Sequence, residues 1–175
     1  MTPITLLVRV SFLICVFAAL AAVSLAQDGG WQKFAPADGT FSAQVPCKPE
    51  LESETDESPL NDHRQYKCNS SSMVVVLAEL KGLDLSGDQK AKMDLFSKKF
   101  MEGFGGTLVS QKDIVLDKHR GRELIVKIVI KEYELSGKVR IYFAGTTVYA
   151  AAALILPANA ASPDVDRFLD SFTIK

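Results

Sequence analysis

GRELIVKIVIKEYELSGKVRIYFAGTTVYAAAALIL, residues 121–156, decides the fold. Leu124, Val126, Ile128 and Ile130 alternate with Glu123 and Lys127, and Val139, Ile141 and Phe143 alternate with Lys138, Arg140 and Tyr142. A side-chain period of two belongs to a β-strand with one buried face. Ser136-Gly137 reads as the turn before the second run. Gly145-Thr146-Thr147 opens a third, passing through Val148 and Tyr149 into Ala150–Leu156. Consecutive strands joined by tight turns pair antiparallel.

The same pattern extends upstream. Thr107–Asp117 is strand-like and is separated from the strand beginning at Gly121 by the turn Lys118-His119-Arg120-Gly121. Before it, Met93, Phe96, Phe100, Met101 and Phe104 share one face of a helix over about 88–105, with Gly105-Gly106 as its stop signal. That stripe is read as core packed on a sheet rather than as a cofactor box. Met73–Ala78 is continuously apolar, as a central strand covered on both faces should be. His63–Asn69 is a returning strand, followed by a turn at Asn69–Ser72. Phe41, Ala43 and Val45 alternate with Ser42 and Gln44 in a strand that Pro46 ends. Downstream, Ser162 as N-cap and Pro163 at the first helical position start a helix carrying Val165, Phe168, Leu169 and Phe172. The class is α+β, with an antiparallel sheet and helices packed on its faces.

The leader has a basic Arg9, an apolar run from Val10 to Leu20 and small residues before Ala26. It is read as a signal peptide, residues 1–26, rather than as an uncleaved anchor. Cys15 follows bulky Ile14 and precedes more apolar chain, which excludes a lipid-attachment cysteine. Gln27–Lys175 then forms one domain, exported to the periplasm or beyond, with no membrane span after cleavage and expected to be a monomer. It carries 19 basic residues (all 20 except Arg9) against 21 acidic, a net charge of about −2. That balance argues against nucleic acid as a partner. Cys47 and Cys68 are the cysteines left after cleavage, and an even pair in an exported chain is expected to form a disulfide.

Trp31-x-x-Phe34, Asp38-Gly39-Thr40-Phe41, Pro46-x-x-Pro49, Gly121-Arg122-Glu123, Arg140-Ile141-Tyr142, Tyr149 and Phe168-Leu169-Asp170-Ser171-Phe172 occur in that order. In this the chain resembles small exported bacterial domains of the PsbP-like (Mog/PsbP-type) superfamily, over nearly all of its length after the leader. The resemblance implies a single α/β/α sandwich around an antiparallel sheet. It implies no particular function, because such domains are chiefly binding or assembly accessories. Cys47 departs from the pattern, where a small residue such as glycine is expected, and no metal or chloride site carries over.

Few groups are placed for chemistry. His63 and His119 are the only imidazoles, and no G-x-S-x-G elbow accompanies them, so a hydrolase is disfavoured. Cys47, Cys68, His63 and His119 suit zinc by type but not by spacing. The C-x-x-C of thiol redox enzymes and the glycine loops of phosphate sites are absent from the sequence. Glu50, Glu52, Glu54, Asp56, Glu57 and Asp62 form an acidic run that lacks calcium-loop spacing, so it reads as a solvated edge strand and its turn. Lys118, His119, Arg120 and Arg122 are the most concentrated cationic stretch, either a solvated hairpin tip or a dock for an acidic partner. The expected function is non-enzymatic recognition of a protein partner, without catalytic residue, metal or cofactor, through the basic turn and the acidic segment. A periplasmic carrier of a small molecule or metal is the alternative, and an enzyme of unrecognised type the weaker one.

Overall fold

The computed structural model describes residues 30–52, 63–130, 133–159 and 162–175. The segment read as a signal peptide and four acids of the acidic run (Glu54, Asp56, Glu57 and Asp62) lie outside the described residues. The chain divides into Met1–Trp31 and Gln32–Lys175, and the fold below is that of the second unit.

In chain order the elements are β1 (Gln32–Phe34), β2 (Phe41–Val45), β3 (Glu50–Glu52), β4 (His63–Asn69), β5 (Val74–Leu80), α1 (Gln89–Phe104), β6 (Gly106–Leu116), β7 (His119–Ile130), β8 (Tyr133–Ala144), β9 (Thr147–Ile155), α2 (Pro163–Asp170) and β10 (Thr173–Ile174). Seven strands form one antiparallel sheet in the order β3-β4-β5-β9-β8-β7-β6. The strand FSAQV is not among them. It is the middle of a separate three-stranded sheet, β1-β2-β10. Neither β1 nor β10 is visible in the sequence pattern, because two or three residues are too short to show a period.

Gly121-Arg122-Glu123 on β7 explains how both faces of the large sheet are held. Successive strand residues point to opposite faces. Arg122 hydrogen-bonds Asp94 of α1 and, at 2.9 Å, Asp113 of β6. Glu123, on the other face, accepts from Arg140 at 2.8 Å, and Arg140 reaches Asp170 of α2 at 2.8 Å. Gly121 leaves room for the ring of Tyr142, its partner on β8: a Cβ there would lie 2.4 Å from Tyr142 Cδ1.

The α1 face buries Leu124, Val126, Ile128, Val139, Ile141 and Phe143 beneath Met93 and Met101, with Phe96 and Phe100 partly buried beside them. Phe104 lies outside the described side chains. Asp88 caps the helix by accepting from the backbone N–H groups of Lys90 and Ala91, and Gly105 ends it in the left-handed conformation. The opposite face carries an aromatic cluster. Phe41 meets Phe34, Tyr66, Tyr149 and Phe172 at centroid separations of 5.6–6.2 Å. Val165, Phe168 and Leu169 of α2 are buried. This face is therefore covered by α2 together with the small sheet. Each fully buried Phe or Leu here contributes about 1.5–3 kcal/mol over its exposed state.

Cys47 and Cys68 are disulfide-bonded, Cα to Cα 5.8 Å, tying the Pro46–Pro49 corner to β4. Two turn expectations need correction. Ser136-Gly137 lies inside β8, paired with Lys127 and Val126, and Gly137 is needed because a Cβ would meet Leu154 and Val126 at 2.6 and 2.7 Å. The β6–β7 turn is Asp117-Lys118, with Asp117 at φ 53°; His119, Arg120 and Gly121 already belong to β7.

Candidate functional site

Three charged assemblies lie on this scaffold, and two are internally neutralised. In the first, Glu79 is fully buried on β5. It accepts from the Thr40 hydroxyl at 3.0 Å and is ion-paired with Arg64 and, at 3.6 Å, with Lys81. Asp38 also receives Arg64 and, at 3.3 Å, Lys81. Desolvation pushes the Asp38 carboxyl up, but hydrogen bonds from Arg64, the Thr40 backbone and Lys81 outweigh it and bring the pKa down to about 2. Asp38-Gly39-Thr40-Phe41 is thus a fastening between the N-terminal strands and the large sheet.

The second assembly is the pair of clusters on β7. Burial disfavours the charged form of Glu123, yet Arg140 and Lys112 (2.9 Å) hold its pKa below the usual carboxylate range. Arg122 is 4% exposed. Desolvation opposes its charge, and hydrogen bonds to Asp94 and Asp113 more than restore it. The Asp94 carboxyl is likewise held below the usual range, chiefly by its hydrogen bond from Arg122.

The third assembly is a groove at the head of α1, where the cations Lys90, Lys118 and Arg120 share the lining with the carboxylates Asp88 and Asp113. Two adjoining cavities, about 330 and 840 Å³, share Gln89, Lys90, Arg120 and Phe143. The smaller is lined by Met93, Val115 and Phe143 together with Asp113 and Arg122; the larger opens between Gly87-Asp88 and Lys118-His119-Arg120. Lys118, His119 and Arg120 make no hydrogen bond or ion pair with a described side chain, and Lys90 has only a longer-range attraction to Asp94. The hairpin brings Lys118, His119 and Arg120 to one mouth, and α1 adds Lys90. Sequence reasoning missed Lys90, which lies 28 to 30 residues upstream on α1. Arg122 was grouped with the basic turn, but its guanidinium points inward to Asp94 and Asp113.

The remaining sequence candidates are scattered. Glu50 and Glu52 sit exposed on the edge strand β3, at the far side of the sheet from the groove. His63 on β4 and His119 on β7 are separated by β5, β9 and β8. Among the described residues no three metal-ligating side chains gather.

Cyanobacterial PsbP (CyanoP) from Synechocystis superposes with a TM-score of 0.60 at 10% identity, over 87% of this chain and 96% of that one. The fold is of the PsbP/Mog1 type. The Ran-binding protein Mog1p from Saccharomyces cerevisiae matches with a TM-score of 0.50 at 12% identity, over 82% and 95% of the two chains. LpqN, involved in cell envelope biogenesis of Mycobacterium tuberculosis, matches with a TM-score of 0.50 at 14% identity, over 83% and 90%. No protein-family profile and no curated protein matches the chain by sequence. The PsbP/Mog1-type fold is therefore carried here by a sequence that shares with these structures little beyond its pattern. Among the described residues no helix is long and apolar enough to cross a membrane.

Proposed function

We propose that this chain is an exported, non-enzymatic accessory protein, one α/β/α-sandwich domain over 27–175, that binds an acidic segment of a protein partner in the groove at the head of α1. The observation that carries the reading is the convergence of three exposed cations on one concave surface. Lys90 and Arg120 line both cavities and Lys118 the larger one, and the three have no ion pair among the described residues. Unpaired cations around a concave apolar surface favour an acidic ligand through complementarity and through faster encounter. Arg122 is left out of the docking set because its charge is already satisfied. The Cys47–Cys68 bond supports an oxidising compartment. That Mog1p is a Ran-binding protein agrees with a binding role on this fold.

The test is affinity capture from native periplasm with the wild type and with Lys90→Gln/Lys118→Gln/Arg120→Gln, leaving Arg122 intact. Each exposed pair contributes about 0.2–1 kcal/mol, so the triple variant should bind the captured partner roughly 3- to 160-fold more weakly. Unchanged capture by the triple variant contradicts the reading.

One observation favours a carrier as the second reading. A cleft of about 810 Å³ continues along α1 past Asp94 to Gly106, and the buried Ser97 hydroxyl on its wall has no hydrogen-bond partner among the described residues. Native mass spectrometry after gentle isolation would show a retained small ligand on that reading, and a bare apo mass would remove it.

A further inference from the structure

β6 is the open edge of the large sheet. It pairs with β7 on one side and has no strand on the other among the described residues. The register is interrupted between Leu108 and Ser110, then runs regularly from Ser110 opposite Ile125 to Leu116 opposite His119. Along these seven regularly paired residues, alternate ones bond to β7 and the others turn their backbone N–H and C=O groups outward. Edges are usually blunted by charge. Here Lys112 and Asp113 are tied back to Glu123 and Arg122 of the neighbouring strand. Val115 remains 68% exposed at the end nearest the basic turn.

We propose that the acidic partner binds as an added strand on Ser110–Leu116, antiparallel to β6, with acidic residues at its amino-terminal end reaching the groove; this rests on the groove reading above. The sheet is antiparallel throughout, and antiparallel addition is the more stable mode. An antiparallel strand begins opposite Leu116, beside Lys118 and Arg120. Val115 and Arg120 are direct cross-strand partners, so a side chain opposite Val115 lies in line with Arg120 on the same face. The added backbone would sit two strand spacings, about 10 Å, from β7. A glutamate and an arginine can close that span between them. Charge therefore fixes which end of the segment enters first, and backbone pairing supplies the rest of the contact.

The experiment compares two capped octapeptides, one with two amino-terminal glutamates followed by alternating valine and threonine, the other its sequence reversal. Each is titrated into the secreted protein while amide exchange is followed by NMR. The forward peptide should bind about fivefold or more tightly than the reverse. Those amides of Ser110–Leu116 that exchange rapidly in the free protein should become protected. Lys118→Gln/Arg120→Gln should erase the preference for the forward order. Equal or reversed affinities, or binding that protects no amide of β6, overturn strand addition while leaving the groove reading standing. Binding of neither peptide overturns both. Protection of the same amides without peptide, rising with protein concentration, would show a second copy on the edge and also overturns the proposal.

Discussion

Replacing Gly121 by alanine separates two opposite expectations. A glycine in an ordinary strand is a defect, and Gly→Ala there should stabilise by about 0.5–1 kcal/mol. At Gly121 a Cβ would stand 2.4 Å from Tyr142 Cδ1 and 2.5 Å from the backbone oxygen of Ile141. The carbonyl belongs to β8 and cannot rotate away as a side chain would. The ring is no freer, since Tyr142 is stacked on Phe172 with centroids 5.8 Å apart and planes 6° apart. β7 and β8 must therefore separate locally or the aromatic cluster must shift. Overpacking of this kind costs about 1–3 kcal/mol, more than the entropic gain. For a domain of this size the melting temperature should fall by roughly 2–12 °C. Calorimetry of both proteins at one pH and scan rate measures it. A melting temperature equal to or above the wild type would refute the close approach of Gly121 and Tyr142.

Other outcomes follow from the same structure. Replacing Cys47 and Cys68 together by alanine opens a loop of 21 residues' separation. It should lower stability by about 3 kcal/mol on the chain-entropy account, which is a fall of about 1–3 M in the urea midpoint; an unchanged midpoint, or alkylatable thiols in the native protein, would contradict the bond's role. Asp38 titrates at about 2 when folded, below an unfolded value of about 3.9. Its contribution is therefore fully present above about pH 4 and is lost as pH falls through about 2, so Asp38→Asn should flatten the loss of stability between pH 4 and 2. Parallel urea midpoints for the two proteins across that window would show that the fastening does not depend on the Asp38 charge.

Much of the fold could be read from period and punctuation. Strands long enough to alternate, such as Gly121–Ile130, declared themselves, and so did the Ser162-Pro163 start of α2 and the Gly105 stop of α1. Illegible features were those set by partners distant in sequence. Gly137 looks like a turn residue until Leu154 and Val126 are seen on either side of its Cα. Arg122 and Arg120 are equivalent as sequence, yet one faces two carboxylates and the other an open groove. The candidate site was half legible for the same reason: contiguity revealed the basic turn, but only tertiary packing brings Lys90 to it.

The most direct test of the central claim is an NMR titration with a glutamate-rich peptide and with its glutamine counterpart. If the groove at the head of α1 is the docking site, the glutamate peptide should shift the amides of Gly87–Lys90, Lys118–Arg120 and Phe143, and the glutamine peptide should not. Equal shifts with both peptides, or shifts confined to surfaces away from these residues, would contradict it.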